Sequence, residues 1–320
     1  MNHSKPPTKA AIKKAEKRIE SVAKKGATEL YLDGLGLVEV PESVRQLTQL
    51  DLLYLADNSI SRLPEWLGEL HGIRILDVSG NDLVELPQSI QGLTKLKRLI
   101  LSSNRLTLLP EELEPLSSLE SLSLSSNPLR SLPVSVTRLK NLRSIMAIHC
   151  DLRELPEGFG SLAALEKLDL QGNRVERLPL TFTQLTRLTE LSLGNNALTV
   201  LPESLGELTE LTELWLQYNQ LVEIPKSVGS LSRLTKLSLS GNRVAELPES
   251  IGNLAALRSL FLGENRLCSL PRTLRRLPVL EYLYLHDNPG LNIPESLLGA
   301  RPGLGSPGEV SRILEYCFPE

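Results

Sequence analysis

From Thr28 onward the chain repeats one pattern of apolar and polar positions every 23 residues. Twelve units begin at 28, 51, 74, 97, 120, 143, 166, 189, 212, 235, 258 and 281, with no gap until the last. Residues 189–211 show the unit in full, TELSLGNNALTVLPESLGELTEL. Positions 3, 13 and 17 are apolar throughout, and positions 5, 10, 20 and 23 nearly so. Position 14 is proline in all twelve units, from Pro41 to Pro294. Position 8 is asparagine in ten; Leu35 and Cys150 fill the other two.

Positions 2 to 6 alternate in the manner of a strand, with Leu191 and Leu193 inward and Glu190, Ser192 and Gly194 outward. One such strand is too short to fold alone, but stacked parallel copies share a core. The asparagine falls where the chain leaves the strand. Its amide donates and accepts, so it can satisfy turn groups of its own unit and of the neighbouring unit that would otherwise be buried unpaired. Cys150 suits that slot as a small buried residue. Proline then opens a short outer segment, where a first helical turn tolerates a missing N–H. In seven units an acidic residue follows it (Glu42, Glu65, Glu111, Glu157, Glu203, Glu249 and Glu295), the sign favoured at a helix N-terminus. Short helical or 3-10 turns are therefore expected on the convex side.

A solenoid needs caps. Residues 9 to 25 read as an amphipathic helix with an apolar stripe of Ile12, Ala15, Ile19, Val22 and Ala23, stopped by Gly26. Toward the other end, Gly290, Ala300 and Gly303 dilute the last unit. Ser306, Pro307 and Glu309 then form a capping-box start, and Val310, Ile313, Leu314 and Cys317 recur at helical spacing. The predicted fold is an α/β solenoid, a curved horseshoe with a concave parallel sheet, convex short helical turns and helical caps. The domain reading is a tail and capping helix over 1–27, a solenoid over 28–303 and a second cap over 304–320.

The unit LxLxxNxLxxLPxxLxxLxxL resembles the leucine-rich repeat in its 23-residue intracellular form. That form occurs in plant Ras-group leucine-rich proteins, in the scaffolds Scribble and Erbin, and in bacterial Roco proteins. The resemblance covers about residues 28 to 303 and implies fold more than function, because the repeat positions are structural. The final stretch, LHDNPGLNIPESLLG followed by SPGEVSRILEYCF, is similar to the end of the Roco repeat region, where a GTPase module follows. That likeness implies a bacterial source. This chain stops at Glu320.

Composition narrows the function. The net charge of −3 and the absence of an apolar run near ~20 residues point to neither nucleic acid nor membrane insertion. The lysine-rich start is not a secretory signal. Cys150, Cys268 and Cys317 are too far apart for a disulfide framework or a metal site. These features predict a reduced, cytoplasmic protein without cofactors. Repeats and caps consume nearly the whole chain, and no GxxxxGK[ST], HExxH or CxxC motif occurs, so no enzyme is expected. His149-Cys150-Asp151 could suggest a nucleophile cluster, but Cys150 holds the buried slot and its neighbours face other ways. Asn288, in His286-Asp287-Asn288, is likewise the position-8 residue of a strand exit. Cys268 reads as a surface thiol, Cys317 as packing for the last helix and Trp66 as convex-side packing.

Specificity is left to the outward columns 2, 4, 6 and 7. Random placement would put about two of the 12 aromatics in these 48 positions; seven are there, Tyr31, Tyr54, Trp215, Tyr218, Phe261, Tyr282 and Tyr284. Strand propensity alone would not leave units 3 to 8 without one. Binding hot spots favour Trp and Tyr, so these residues, with Glu213 and Glu264, are the candidate protein-binding site. Trp215 and Phe261 share column 4 two strands apart, about 9.6 Å. Ser238 between them implies a slot with aromatic walls for an apolar or cationic side chain. The same columns hold nine acidic and three basic residues, which favours a basic partner. Unit 6 is irregular, with Ala147 in a core position and Met146, Ile148 and His149 outward. The predicted function is a non-enzymatic protein-binding scaffold in intracellular signalling. The alternatives are the recognition arm of a Roco-type GTPase, truncated or stand-alone, and a bacterial effector without a catalytic domain.

Overall fold

The computed structural model describes residues 8–305 and 308–319, which fall into two compact units, Met1–Leu152 and Arg153–Glu320. The first opens with helix α1 (Lys9–Lys25) and holds strands β1 (Glu29–Tyr31), β2 (Leu52–Tyr54), β3 (Ile75–Asp77), β4 (Arg98–Ile100), β5 (Ser121–Ser123) and β6 (Ser144–Met146). The second holds β7 (Lys167–Asp169), β8 (Glu190–Ser192), β9 (Glu213–Trp215), β10 (Lys236–Ser238), β11 (Ser259–Phe261) and β12 (Tyr282–Tyr284), then the helices α2 (Glu295–Leu298) and α3 (Val310–Cys317). Within each unit every strand pairs in parallel with the next. The register is one repeat: Leu30 opposes Leu53, and Leu214 opposes Leu237.

Each strand is three residues long because only positions 2 to 4 form the ladder. The middle residue is a leucine or isoleucine at 2% exposure or less in all of them. Position 5 continues inward, as at Leu193 and Leu216. Burying one such side chain contributes roughly 1.5–3 kcal/mol, and every repeat supplies several.

The asparagines behave as the repeat implies. Asn242 Nδ2 donates to the carbonyls of Leu216 (3.0 Å), Leu239 (2.8 Å) and Ser240 (3.4 Å), while its Oδ1 accepts from Leu221 N–H at 3.1 Å. One amide thus closes its own turn and binds the preceding repeat. Cys150 occupies the slot fully buried, its Sγ–H facing the carbonyls of Leu124 (3.2 Å) and Ile148 (3.6 Å). Sulfur offers no strong acceptor. Leu129 N–H, the counterpart of Leu221 N–H, turns instead to Asn127 O at 2.9 Å, and Arg130 enters the left-handed region at φ 67°. Burial pushes the Cys150 thiol up, away from the reactive thiolate.

The outer segments are 3-10 turns such as Glu42–Gln46, Glu65–Glu69 and Lys226–Ser230. Proline stands just before the turn, with its carbonyl accepting the N–H three residues on, as Pro41 O does from Val44. No 3-10 turn follows Pro110. Pro115 comes five residues later in that repeat, and a proline pushes the residue before it, Glu114, out of the helical region. Trp66 is buried within its turn, as convex-side packing requires.

Helix α1 spans the residues that the apolar spacing marks out, and both caps differ from the expectation in detail. Thr8 Oγ1 caps α1 by accepting from Ala11 N–H at 3.2 Å, and Gly26 ends it at φ 63°. Only Ala15 and Ile19 are buried; Ile12 is 44% exposed and Ala23 also faces solvent. The expected stripe is therefore narrower, because β1 and the first 3-10 turn offer the helix a single line of contact. In α3, Ile313 and Leu314 are buried, while Val310 and Cys317 are half-buried. Ser306 and Pro307, read as part of a capping box, lie outside the described residues. Glu309 stands at the N-cap without a side-chain cap bond.

Candidate functional site

The outward side chains of β9 to β12 converge into one patch. Registration places Trp215, Ser238, Phe261 and Tyr284 side by side, one per strand. Because each strand is flanked at one-repeat spacing, position 4 forms a continuous row across β9 to β12. The row does not form the open slot that the spacing suggests. The Trp215 and Phe261 rings lean together over Ser238 until their centroids are 6.0 Å apart at 33°. A side chain between two rings needs about 7 Å, two carbon contacts of ~3.5 Å. Ser238, at 4% exposure, is covered, so the floor of the expected slot is closed. Phe261 stacks on Tyr284 at 5.0 Å and 4°. Tyr284 is itself 7% exposed, and burial pushes its hydroxyl up in pKa. It supports the row rather than offering a contact surface. Trp215 and Phe261 are half-buried, while Tyr218 and Tyr282 are exposed.

Tyr31 and Tyr54 form a separate pair on β1 and β2, stacked at 4.8 Å and 3°. Tyr31 Oη donates to Glu29 Oε2 at 2.7 Å, which holds the phenol above its ordinary pKa. The remaining strands of that unit carry no aromatic residue outward, and the fifth repeat presents only serines, Ser121, Ser123, Ser125 and Ser126. In the sixth repeat Ala147 is buried while Met146 and His149 face solvent, the orientation that the repeat register predicts.

The acidic excess of the outward columns is largely answered locally. Glu213 Oε1 accepts from Lys236 Nζ at 2.8 Å and its Oε2 from Trp215 Nε1 at 3.0 Å. The Lys236 bond, then that from the indole, holds the carboxyl below the usual range against the opposing effect of burial. Lys236 Nζ also sits 6.0 Å from the indole centroid, so this face of the sheet already carries a cation–π contact. Asp287 pairs with Arg301, Glu190 with Lys167, and Asp33, Asp77 and Asp169 accept backbone N–H groups. His286, an outward position by register, is buried, with Nε2 at 3.1 Å from Gly299 O. A net count of charges therefore overstates the attraction for a basic partner.

Backbone conformation adds a feature that the sequence reading missed. Position 7 of every repeat has positive φ. Glycine, Asp, Asn and His enter that region at least cost, and most repeats use one of them. Tyr218 (φ 56°) and Glu264 (φ 55°) are the two bulky exceptions. Each costs roughly 1–2 kcal/mol of backbone strain. They are also partners: Tyr218 Oη donates to Glu264 Oε1 at 3.3 Å, and the nearby carboxylate raises the phenol's pKa. The ring lies over Gly241, where an added Cβ would come within 2.3 Å of Tyr218 Cδ1. Both residues stand among the candidates read from the outward columns; the glycine-rich composition of column 7 is the signal for their backbone conformation.

Such a row of outward side chains on a parallel solenoid sheet defines a repeat-type interaction module, and the comparisons give the family. The leucine-rich repeat region model matches residues 39–154 and 135–237, and the leucine rich repeat model matches 225–289. The chain belongs to the leucine-rich-repeat family. No curated protein matches the sequence. Among solved structures, the Leptospira interrogans LRR protein LIC12759 is 32% identical with a TM-score of 0.68, covering 89% of this chain and 82% of that one. The functional domain of InlJ from Listeria monocytogenes, which includes a cysteine ladder, shares the fold at 24% identity and a TM-score of 0.72, covering 87% and 56%. Toll in the Drosophila Toll–Spatzle complex is 26% identical with a TM-score of 0.66, covering 76% and 33%. Among the described residues no helix is long and apolar enough to cross a membrane, and no group of His, Cys, Asp or Glu could hold a metal ion.

Proposed function

We propose that the chain is a non-enzymatic scaffold of intracellular signalling that binds a protein partner through the outward face of β9 to β12. The carrying observation is the aromatic row. Trp215 and Phe261 lie half-buried and ring-to-ring on an open sheet, with Tyr218 and Tyr282 exposed beside them. Large rigid rings bury much area at little entropy cost, which is why they dominate hot spots. Toll in complex with Spatzle illustrates a relative of the same fold engaged with a partner. A cytoplasmic location is supported by three free, widely spaced cysteines. The stacked pair Tyr31 and Tyr54 is the secondary contact on the first unit.

The test is a quantitative pull-down followed by titration of the captured protein. Trp215→Ala and Phe261→Ala each weaken binding at least tenfold, about 1.4 kcal/mol, without shifting the denaturant midpoint appreciably. A partner whose affinity ignores both substitutions overturns the assignment.

A further inference from the structure

We infer that Tyr218 and Glu264 form a receptor for one arginine side chain of the bound partner, at the edge of the aromatic row. The inference rests on the proposed protein-binding role and adds the chemistry of one contact. Three observations carry it. Glu264 is exposed and, among the described residues, has no cation within ion-pairing distance, whereas Glu213 and Asp287 on the same face are each paired. Arg301, a cation on the same face, is committed to Asp287. Secondly, Glu264 and Tyr218 are the two bulky side chains held at positive φ in a column otherwise filled by smaller or more tolerant residues. Strained residues of this kind persist where the surroundings over-determine them and cluster at binding sites. Thirdly, they are linked to each other across Gly241, whose missing side chain lets the Tyr218 ring lie flat.

Together they present a carboxylate with lone pairs to spare beside an exposed aromatic face. A guanidinium matches both features. Its planar fork can pair with the carboxylate at two points, and its face can stack on the phenol. Lys236 over Trp215 shows that a cation and an aromatic ring already pair on this sheet, but that cation belongs to the chain and answers Glu213. Among the described outward carboxylates of β9 to β12 and their strand exits, Glu264 is the one left for a cation from outside.

The experiment pans a random dodecapeptide display library on the full chain, then titrates the enriched peptides in solution. Enrichment of a single arginine position is expected. Replacing that arginine by citrulline, its neutral isostere, and replacing the protein's side chain by Glu264→Gln each weaken binding at least tenfold. The two changes together lose no more than either alone, because both remove one contact. Glu264→Gly raises the melting temperature while lowering affinity, the signature of strain held for binding. Failure to enrich any peptide, peptides without a basic position, or arginine dependence that survives Glu264→Gln overturns the receptor. If such peptides still lose binding with Trp215→Ala, the aromatic-row reading stands without it; if they ignore that substitution too, both fall.

Discussion

Leu214 and Trp215 are consecutive residues of one three-residue strand, and they live under opposite constraints. Leu214 is fully buried, and the same position is a leucine or isoleucine in every strand. Trp215 faces outward, where the equivalent residue is Tyr, Asp, Ile, Ser, Met, Phe or Trp from strand to strand. The inner side is one solution repeated because each repeat must fit the packing of the previous one. The outer side packs against water and a few cross-strand neighbours, so it is free to encode a partner. A change on the first side should register as stability, and a change on the second as binding.

The sharpest contrast should come from the core. Leu193→Ala removes a fully buried side chain and should cost about 2–5 kcal/mol through lost transfer energy and a residual cavity, read from the shift in a denaturant melt. Asn196→Leu comes next. It strips partners from Leu170 O, Leu193 O and Val175 N–H, at roughly 1–3 kcal/mol. Melts of these two variants that overlay wild type would erase the inner side of the comparison. Cys150→Asn should act in reverse: it restores an acceptor at the slot where Leu129 N–H has turned away, and a gain of about 1 kcal/mol is expected. Trp215→Ala should lie at the far end, within about 1 kcal/mol of wild type, because the indole is half exposed; a larger loss would make it a packing residue. The smallest effect is chemical. An aromatic disulfide reagent should label Cys268 quickly in the native protein and Cys150 only after unfolding, since the first is exposed and the second buried.

The two sides differ equally in how far they could be read from the chain. Strand positions, the asparagine slot, the proline turns and the orientation of Met146 and Ala147 all follow from a fixed period, because a period is a statement about backbone geometry. The site was legible as a list of residues, less so as a surface. Column spacing locates the Cα atoms of Trp215 and Phe261 but leaves χ1 free, and the rings use that freedom to close over Ser238. Tyr284 and His286 are outward by register yet buried: Tyr284 stacks on Phe261, and His286 meets the later part of its own repeat. The partner of His286 is Gly299 O, just past α2, a contact that no period contains. Ile12 shows the same limit at the other end: helical spacing finds an apolar stripe but not the width of the surface that receives it.

The asparagine bonds also give the polymer a direction. Each amide reaches backward: Asn58 serves Leu32 O, Leu35 N–H and Leu37 N–H of the repeat before it, and Asn288 serves Leu262 O and Leu267 N–H. The first repeat has no earlier repeat to clasp, and it carries Leu35 where ten of the others place an amide. Deleting the first repeat frees the backward bonds of the Asn58 amide, takes the acceptors Thr28 O and Leu37 O from Asp51 and Ser59 N–H, and removes the cover of α1. Deleting repeats from the back strips a buried N–H and a carbonyl from the repeat that becomes last. Like a row of shingles, the repeats overlap in one direction, and a cut at either end leaves backbone groups and core that only a new cap can cover.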